Sequence, residues 1–174
     1  MALCRELVPK VCAIAASLMQ KALADVVSPA TQMGASLSES MKEALSDAIL
    51  DSGASQTYVT SRVALSNAAP GRGVVKVATG RRERVSELGD LGPLCGVRKV
   101  GSFARTLVGV MDLTEQFGTI DFTSKAAFVR SDVDGKEVKT KIADATKSRL
   151  YKFDLEALER HVERVADARE RVGG

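Results

Sequence analysis

The stretch Ile49-Leu50-Asp51-Ser52-Gly53-Ala54-Ser55 constrains this chain more than any other part of it. Two apolar residues run directly into an acid, and Ser-Gly and two small residues follow. A β-strand that ends in an acid holds the carboxylate at a fixed point, and Gly53 lets the backbone turn sharply and approach a partner closely. Ser52 also offers a hydroxyl that can bond to a neighbouring loop. Together these residues predict a turn that presents the Asp51 carboxylate.

Such a turn suits chemistry in which two carboxylates face each other and share one proton. Two like charges a few ångströms apart cannot both ionise, so one carboxylate stays protonated near neutral pH. The pair can then deprotonate a water molecule while it polarises a carbonyl group. The alternative interpretation of Asp51-Ser52-Gly53 alone is an acid that opens an ordinary turn.

Composition narrows the function classes. The 174 residues suggest one domain with appendages, and a formal net charge of +3 gives little argument for nucleic acid. Cys4, Cys12 and Cys95 are odd in number and lack metal-ligand spacing, so we expect a reducing, cytoplasmic setting. His161 is the only histidine, which excludes Ser-His-Asp and Cys-His catalysis within one chain. No apolar run approaches the length that spans a bilayer.

The Asp51 stretch resembles the active-site motif of aspartic proteases, Asp-Thr/Ser-Gly-Ala/Ser. It is most similar to that of the retropepsin group, and within it to the copia-type retrotransposon proteases. Further along, residues 106–113 form an apolar strand broken by Gly109, with a short helix to residue 116 and a strand at 119–122. Retropepsins have an apolar-apolar-Gly element here, and the glycine lets the strand pass close beneath the active-site turn. The copia-type form is Asn-Leu-Leu-Ser-Val-x-x-Leu-Thr; Arg105-Thr106 replaces its Asn and Gly109 its Ser.

Residues 74–92 resemble the flap of the copia-type proteases. Val74 to Val77 predict a strand, Ala78-Thr79-Gly80 a turn, and Arg82 to Leu88 the return strand, after a loop predicted at 67–73. A flap closes over the substrate peptide, excludes water and supplies main-chain hydrogen bonds. An ordinary surface hairpin is the alternative.

The likeness continues to residue 154. A strand at 127–130, a turn at 132–135 and a partner strand at 137–142 precede Leu150-Tyr151-Lys152-Phe153. In copia-type polyproteins such a hairpin and a Leu-Tyr-x-Leu/Phe segment follow the protease and open the region before the integrase.

The resemblance implies a mainly β fold: a retropepsin-like closed β-barrel lobe, the single-lobe acid protease, with added N- and C-terminal α-helices. The expected organisation is an N-terminal helix and linker at 1–45, a protease core at 46–123 with the flap at about 74–92, a β-hairpin extension at 124–153 and a C-terminal helix at 154–174. Within 1–45 we expect a long helix at 3–27 and a short one at 38–45. The long helix binds a partner or membrane surface, or packs on its own domain or a twin; a signal peptide is a further alternative.

The resemblance also implies an aspartic endopeptidase of a retrotransposon-like polyprotein. One lobe brings one catalytic acid, so two chains pair in a closed twofold homodimer and each contributes Asp51. Ser52 would brace the carboxylates across the interface, Gly53 would give the turn, and Ala54 and Ser55 would line the floor. The remaining site residues are the flap residues Val77, Ala78, Thr79 and Gly80, and the core beneath the site, Leu107, Val108 and Gly109. The substrate is a peptide or polyprotein, and no metal or organic cofactor and no membrane is implied.

Two other functions compete with this one. The first is a catalytically silent retropepsin-like module for dimerisation or assembly. The second is nucleic-acid binding through Arg81, Arg82, Arg84, Arg98 and Lys99, which lacks the stacking aromatics of such sites. The C-terminal helix carries an apolar seam for a twin helix or the N-terminal helix, and His161 is predicted to lie solvated beside that seam. The seam residues are Leu155, Leu158, Val162, Val165 and Val172.

Overall fold

The structure is a computed structural model that describes residues 39–173. The helix predicted at 3–27 lies outside the described residues. In chain order the elements are α1 (Glu39–Leu45), β1 (Ile49–Asp51), β2 (Tyr58–Val59), β3 (Ser66–Pro70), β4 (Val74–Lys76), β5 (Arg82–Arg84), β6 (Glu87–Leu91), β7 (Leu94–Lys99), β8 (Leu107–Gly109), α2 (Val110–Phe117), β9 (Thr119–Phe122), β10 (Ala126–Val133), β11 (Lys136–Ala145), β12 (Tyr151–Phe153) and α3 (Leu155–Gly173). None of the helices in this part of the chain is long and apolar enough to cross a membrane.

The prediction of a mainly β protein is confirmed. A 10-stranded sheet runs in the order β3-β6-β7-β2-β8-β1-β12-β11-β10-β9, and β4 pairs with β5 as a separate two-stranded sheet. Among residues 39–173 the large sheet stays open, because β3 pairs only with β6 and β9 only with β10. The closed barrel that the resemblance implied is therefore not found among these strand pairings.

The strand β1 owes its position to partners from distant parts of the chain. It pairs in parallel with β8, with Asp51 opposite Gly109, and antiparallel with β12. The strand β8 in turn pairs antiparallel with β2. A later strand is thus inserted between β1 and β2, which are consecutive along the chain, and the end of β1 lies inside the sheet rather than at its edge.

The buried side chains form two clusters. The larger is formed by residues of the large sheet and of α3, and it includes Leu50, Val108 and Leu158. The smaller joins the Asp51 turn to the β4–β5 hairpin, through Ala54 on one side and Val85 on the other. Since burying one such aliphatic side chain contributes about 1.5–3 kcal/mol, this smaller cluster holds the hairpin to the domain.

Two sequence predictions on the β3–β7 side are wrong. Residues 66–70 form the strand β3 rather than a loop, and Pro70 is tolerated because β3 lies at the edge of the sheet. The return strand predicted at 82–88 is divided in two, because the Val85 N–H still donates to Gly73 O whereas the Ser86 N–H donates to Lys99 O. The chain changes partner between these residues, which separates β5 from β6.

The hairpin predicted at 127–142 is confirmed and is longer than expected. The strands β10 and β11 meet at Asp134-Gly135, where both residues have positive φ, 51° and 78°. Such a two-residue turn matches the twist of an antiparallel pair. Because β11 pairs with β12 and β12 with β1, this hairpin is continuous with the strand that carries Asp51.

The prediction of a solvated His161 is wrong. Its side chain is 1% exposed. Its Nε2 lies 2.9 Å from Ser131 Oγ and its Nδ1 lies 3.0 Å from Thr140 Oγ1. The heptad seam presumed a helix as partner, but α3 packs on β10 and β11, which turns His161 inward. Since the Ser131 hydroxyl donates to Phe117 O, Nε2 carries the proton and Nδ1 accepts from Thr140.

Burial makes the stability of the fold depend on pH through this residue. Desolvation, with the Arg164 guanidinium nearby, lowers the pKa of His161 below its ordinary value of 6.5. The unfolded chain therefore binds a proton that the folded chain does not, so stability present above about pH 6.5 is lost as the pH falls below it. We expect the free energy of unfolding in urea to fall from pH 7.5 to pH 5.5 by more in the parent than in His161→Gln, which does not titrate. Equal losses in the two proteins would contradict this assignment.

Candidate active site

The Asp51 carboxylate closes its own turn. Its Oδ1 accepts a hydrogen bond from the Gly53 N–H at 2.8 Å, and the Asp51 carbonyl accepts from the Ala54 N–H at 3.3 Å. An Asp that bonds to the backbone two residues on is a common way to fix such a turn. One carboxylate oxygen is thus held by the turn, and Asp51 remains half-buried, with Ser52, Gly53 and Ser55 exposed and Ala54 buried.

The strand β8 lies against this turn with no room for a side chain at Gly109. A Cβ there would lie 2.7 Å from Gln56 O and 3.0 Å from Ala54 O, both backbone atoms. The neighbouring Val108 is fully buried opposite Leu50. The apolar-apolar-Gly element therefore runs in direct contact with the segment that follows Asp51.

A pocket of about 460 Å³ opens beside Asp51 and Ser52. Phe122, Leu150 and Tyr151 line its other side, and the Phe122 and Tyr151 rings meet edge to face with centroids 4.9 Å apart. Phe122 and Leu150 are exposed apolar side chains. The sequence alone does not assign Phe122, Leu150 or Tyr151 to the site. The sequence singles out the Leu150-Tyr151 segment, but it does not show that this segment pairs with β1, about 100 residues earlier in the chain.

The predicted flap residues form the tip of the β4–β5 hairpin. The Gly80 N–H donates to Val77 O at 2.8 Å and the Val77 N–H donates to Arg81 O at 3.0 Å, and Gly80 has φ 83°. Val77 and Thr79 line a pocket of about 360 Å³ together with Phe103 and Leu107. The structure thus joins the hairpin tip to Leu107, whereas Asp51 and Ser52 line the separate pocket described above.

Two of the five cations considered for nucleic-acid binding have carboxylate partners. Arg81 pairs with Glu83 at 2.5 Å, and Lys99 with Glu87 at 2.5 Å. The Ser102 hydroxyl also donates to Glu83, and this bond with the one from Arg81 lowers the pKa of Glu83. These two cations are partly neutralised, which weakens the nucleic-acid interpretation.

The close contact at Gly109 predicts that Gly109→Ala lowers the stability of the fold. Because the added Cβ meets backbone atoms that have to move, we expect a loss of about 1–3 kcal/mol in the free energy of unfolding, measured with urea. The matched control is Gly101→Ala, where a Cβ meets nothing within 4 Å; a change within about 0.5 kcal/mol is expected there. Equal stability of the two variants would show that β8 does not lie against the turn.

No protein-family model, curated protein or solved structure matches this chain. The resemblance to aspartic proteases therefore stays a prediction from this chain's own residues, among which the structure shows the self-closed turn at Asp51, the Gly109 contact and the β4–β5 hairpin.

Proposed function

We propose that the protein is an aspartic endopeptidase of the retropepsin type, acting as a homodimer on a retrotransposon-like polyprotein. The observation that carries the proposal is the placement of Asp51. The acid ends a strand that is paired on both sides, and its turn is closed by its own carboxylate and backed by Gly109. An ordinary turn can be closed by its own acid, but the pairing of β1 on both sides and the Gly109 contact fix this acid further, as a catalytic carboxylate requires.

The reaction uses Asp51 from both copies. The ionised carboxylate takes a proton from a water molecule, whose oxygen attacks the carbonyl carbon of the scissile peptide bond. The protonated carboxylate donates to the carbonyl oxygen, so that a tetrahedral intermediate forms. As the intermediate collapses and the C–N bond breaks, the carboxyl that took the proton from water gives it to the amine nitrogen. The other carboxylate takes a proton from a hydroxyl of the intermediate, which leaves a carboxylic acid product and restores the pair. Ser52, exposed beside Asp51, braces the pair from the partner copy.

The surface around Asp51 supports pairing with a second copy. Phe122 and Leu150 are 42% and 39% exposed and lie in the same pocket as Asp51. Exposed apolar side chains next to a proposed twofold axis provide area that dimerisation would bury. The substrate peptide would lie extended beneath the hairpin tip, with an apolar side chain against Val77, Phe103 and Leu107.

We also propose that the described domain is a retropepsin-like lobe. It is supported by the insertion of β8 between β1 and β2, by the hairpin that leads from the core, and by α2 directly after Gly109. The alternative of a silent assembly module draws support from the separation of the Asp51 pocket from the flap pocket.

The proposal is tested by cleavage of a mixed peptide library near pH 5 and pH 7. We expect the parent to cleave and pepstatin to inhibit it. Asp51→Asn should lower the cleavage rate by about 10²–10⁴-fold, since it removes both the general base and the general acid. The matched control is Asp47→Asn, an exposed acid shortly before the same strand, which should cleave like the parent.

Either of two results would contradict this function. Cleavage retained in Asp51→Asn would show that another group acts. The absence of cleavage by the parent, at concentrations well above any dimerisation constant, would favour the assembly module.

A further inference from the structure

The segment just beyond the Asp51 turn is held by a buried acid on a different element. Asp112 lies in the first turn of α2 and is 7% exposed. Its Oδ2 accepts a hydrogen bond from the Thr57 N–H at 3.0 Å, across 55 residues of sequence. An acid in the first turn of a helix also interacts favourably with the helix dipole.

Thr57 is the point at which three parts of the sheet meet. It is fully buried, and its carbonyl accepts from the Arg98 N–H on β7 at 3.0 Å. Its Oγ1 lies 3.4 Å from the Gly109 N–H, at the junction of β8 and α2. The remaining polar group of this backbone unit, its N–H, points to Asp112. Without Asp112 a buried donor would lose its partner.

The second carboxylate oxygen also has a hydrogen-bond donor. The Gln116 Nε2–H donates to Asp112 Oδ1 at 2.8 Å. The Gln116 amide cannot be reversed, because its Oε1 accepts from the Cys95 N–H at 2.9 Å and its Nε2 donates to Cys95 O at 3.1 Å. Two donors of fixed direction therefore face Asp112, and a group with two acceptor oxygens is required between them.

We infer that Asp112 is a positioning residue for the catalytic acid: it holds Thr57 and, through it, the turn that carries Asp51. The inference rests on the proposed function for its kinetic part only. Asp112 is assigned no contact with substrate and no proton transfer. Its effect on catalysis comes through geometry, because a shift of about 1 Å in a catalytic group can cost about 10²-fold in rate.

The test is Asp112→Asn, which keeps the size of the side chain but leaves one acceptor oxygen for two donors. Hydrogen exchange at the Thr57 amide is the direct readout. We expect its protection to fall about tenfold or more in Asp112→Asn. The matched control is Glu115→Gln, which removes an exposed charge from the same helix and should leave protection within about twofold of the parent.

The kinetic readout separates positioning from a general loss of fold. We expect kcat on a cleaved peptide to fall about 10–100-fold with KM within about threefold, while the fraction of folded protein is unchanged. If Asp112→Asn does not fold, Gln116→Met removes one of the two donors at an exposed position, and Thr57 protection should then fall severalfold.

Unchanged protection at Thr57 in the folded variants would overturn the inference, as would lost protection with a parental kcat. If the parent cleaves no peptide, the proposed function fails by that result. The exchange experiment then still decides whether Asp112 holds the Thr57 N–H.

Discussion

At Gly109 the backbone of β8 touches the backbone of the segment that follows Asp51, and this contact leaves no space for a Cβ. The short strand β1 has β8 on one side and β12 on the other, so the acid at its end is held by residues far away in sequence. The Asp112–Thr57 hydrogen bond and the burial of Val108 act on the same junction. The position of Asp51 is therefore a property of the whole sheet rather than of its turn alone.

The local features of this fold could be predicted from sequence. Gly109 marks a close approach of two backbones, Asp134-Gly135 marks a two-residue hairpin turn, and Gly118 ends α2. Gly109 is required because a Cβ would not fit there, whereas Asp134, Gly135 and Gly118 take positive φ, so each signal is carried by one or two residues. The turn at Asp51 is also a local feature, since the acid accepts a hydrogen bond from the Gly53 N–H two residues on.

Features set by partners distant in sequence were missed. The strand β3 reads as a loop because Ala69 and Pro70 carry no strand signal, and its pairing with β6 supplies what propensity does not. The periodicity of α3 predicts a solvated His161, because it does not reveal that a sheet lies beneath the helix. Asp112 was missed for the same reason: nothing near it in sequence shows that Thr57 is its partner.

The proposed chemistry depends on two copies of one acid meeting at a twofold axis. The most direct measurement is peptide cleavage by the parent after co-refolding with increasing amounts of Asp51→Asn. If each active site needs Asp51 from both copies, activity per parent chain falls to about half at equal amounts and toward zero in excess variant, as mixed dimers replace parental ones. Activity per parent chain that does not depend on the variant would contradict a site shared between two copies.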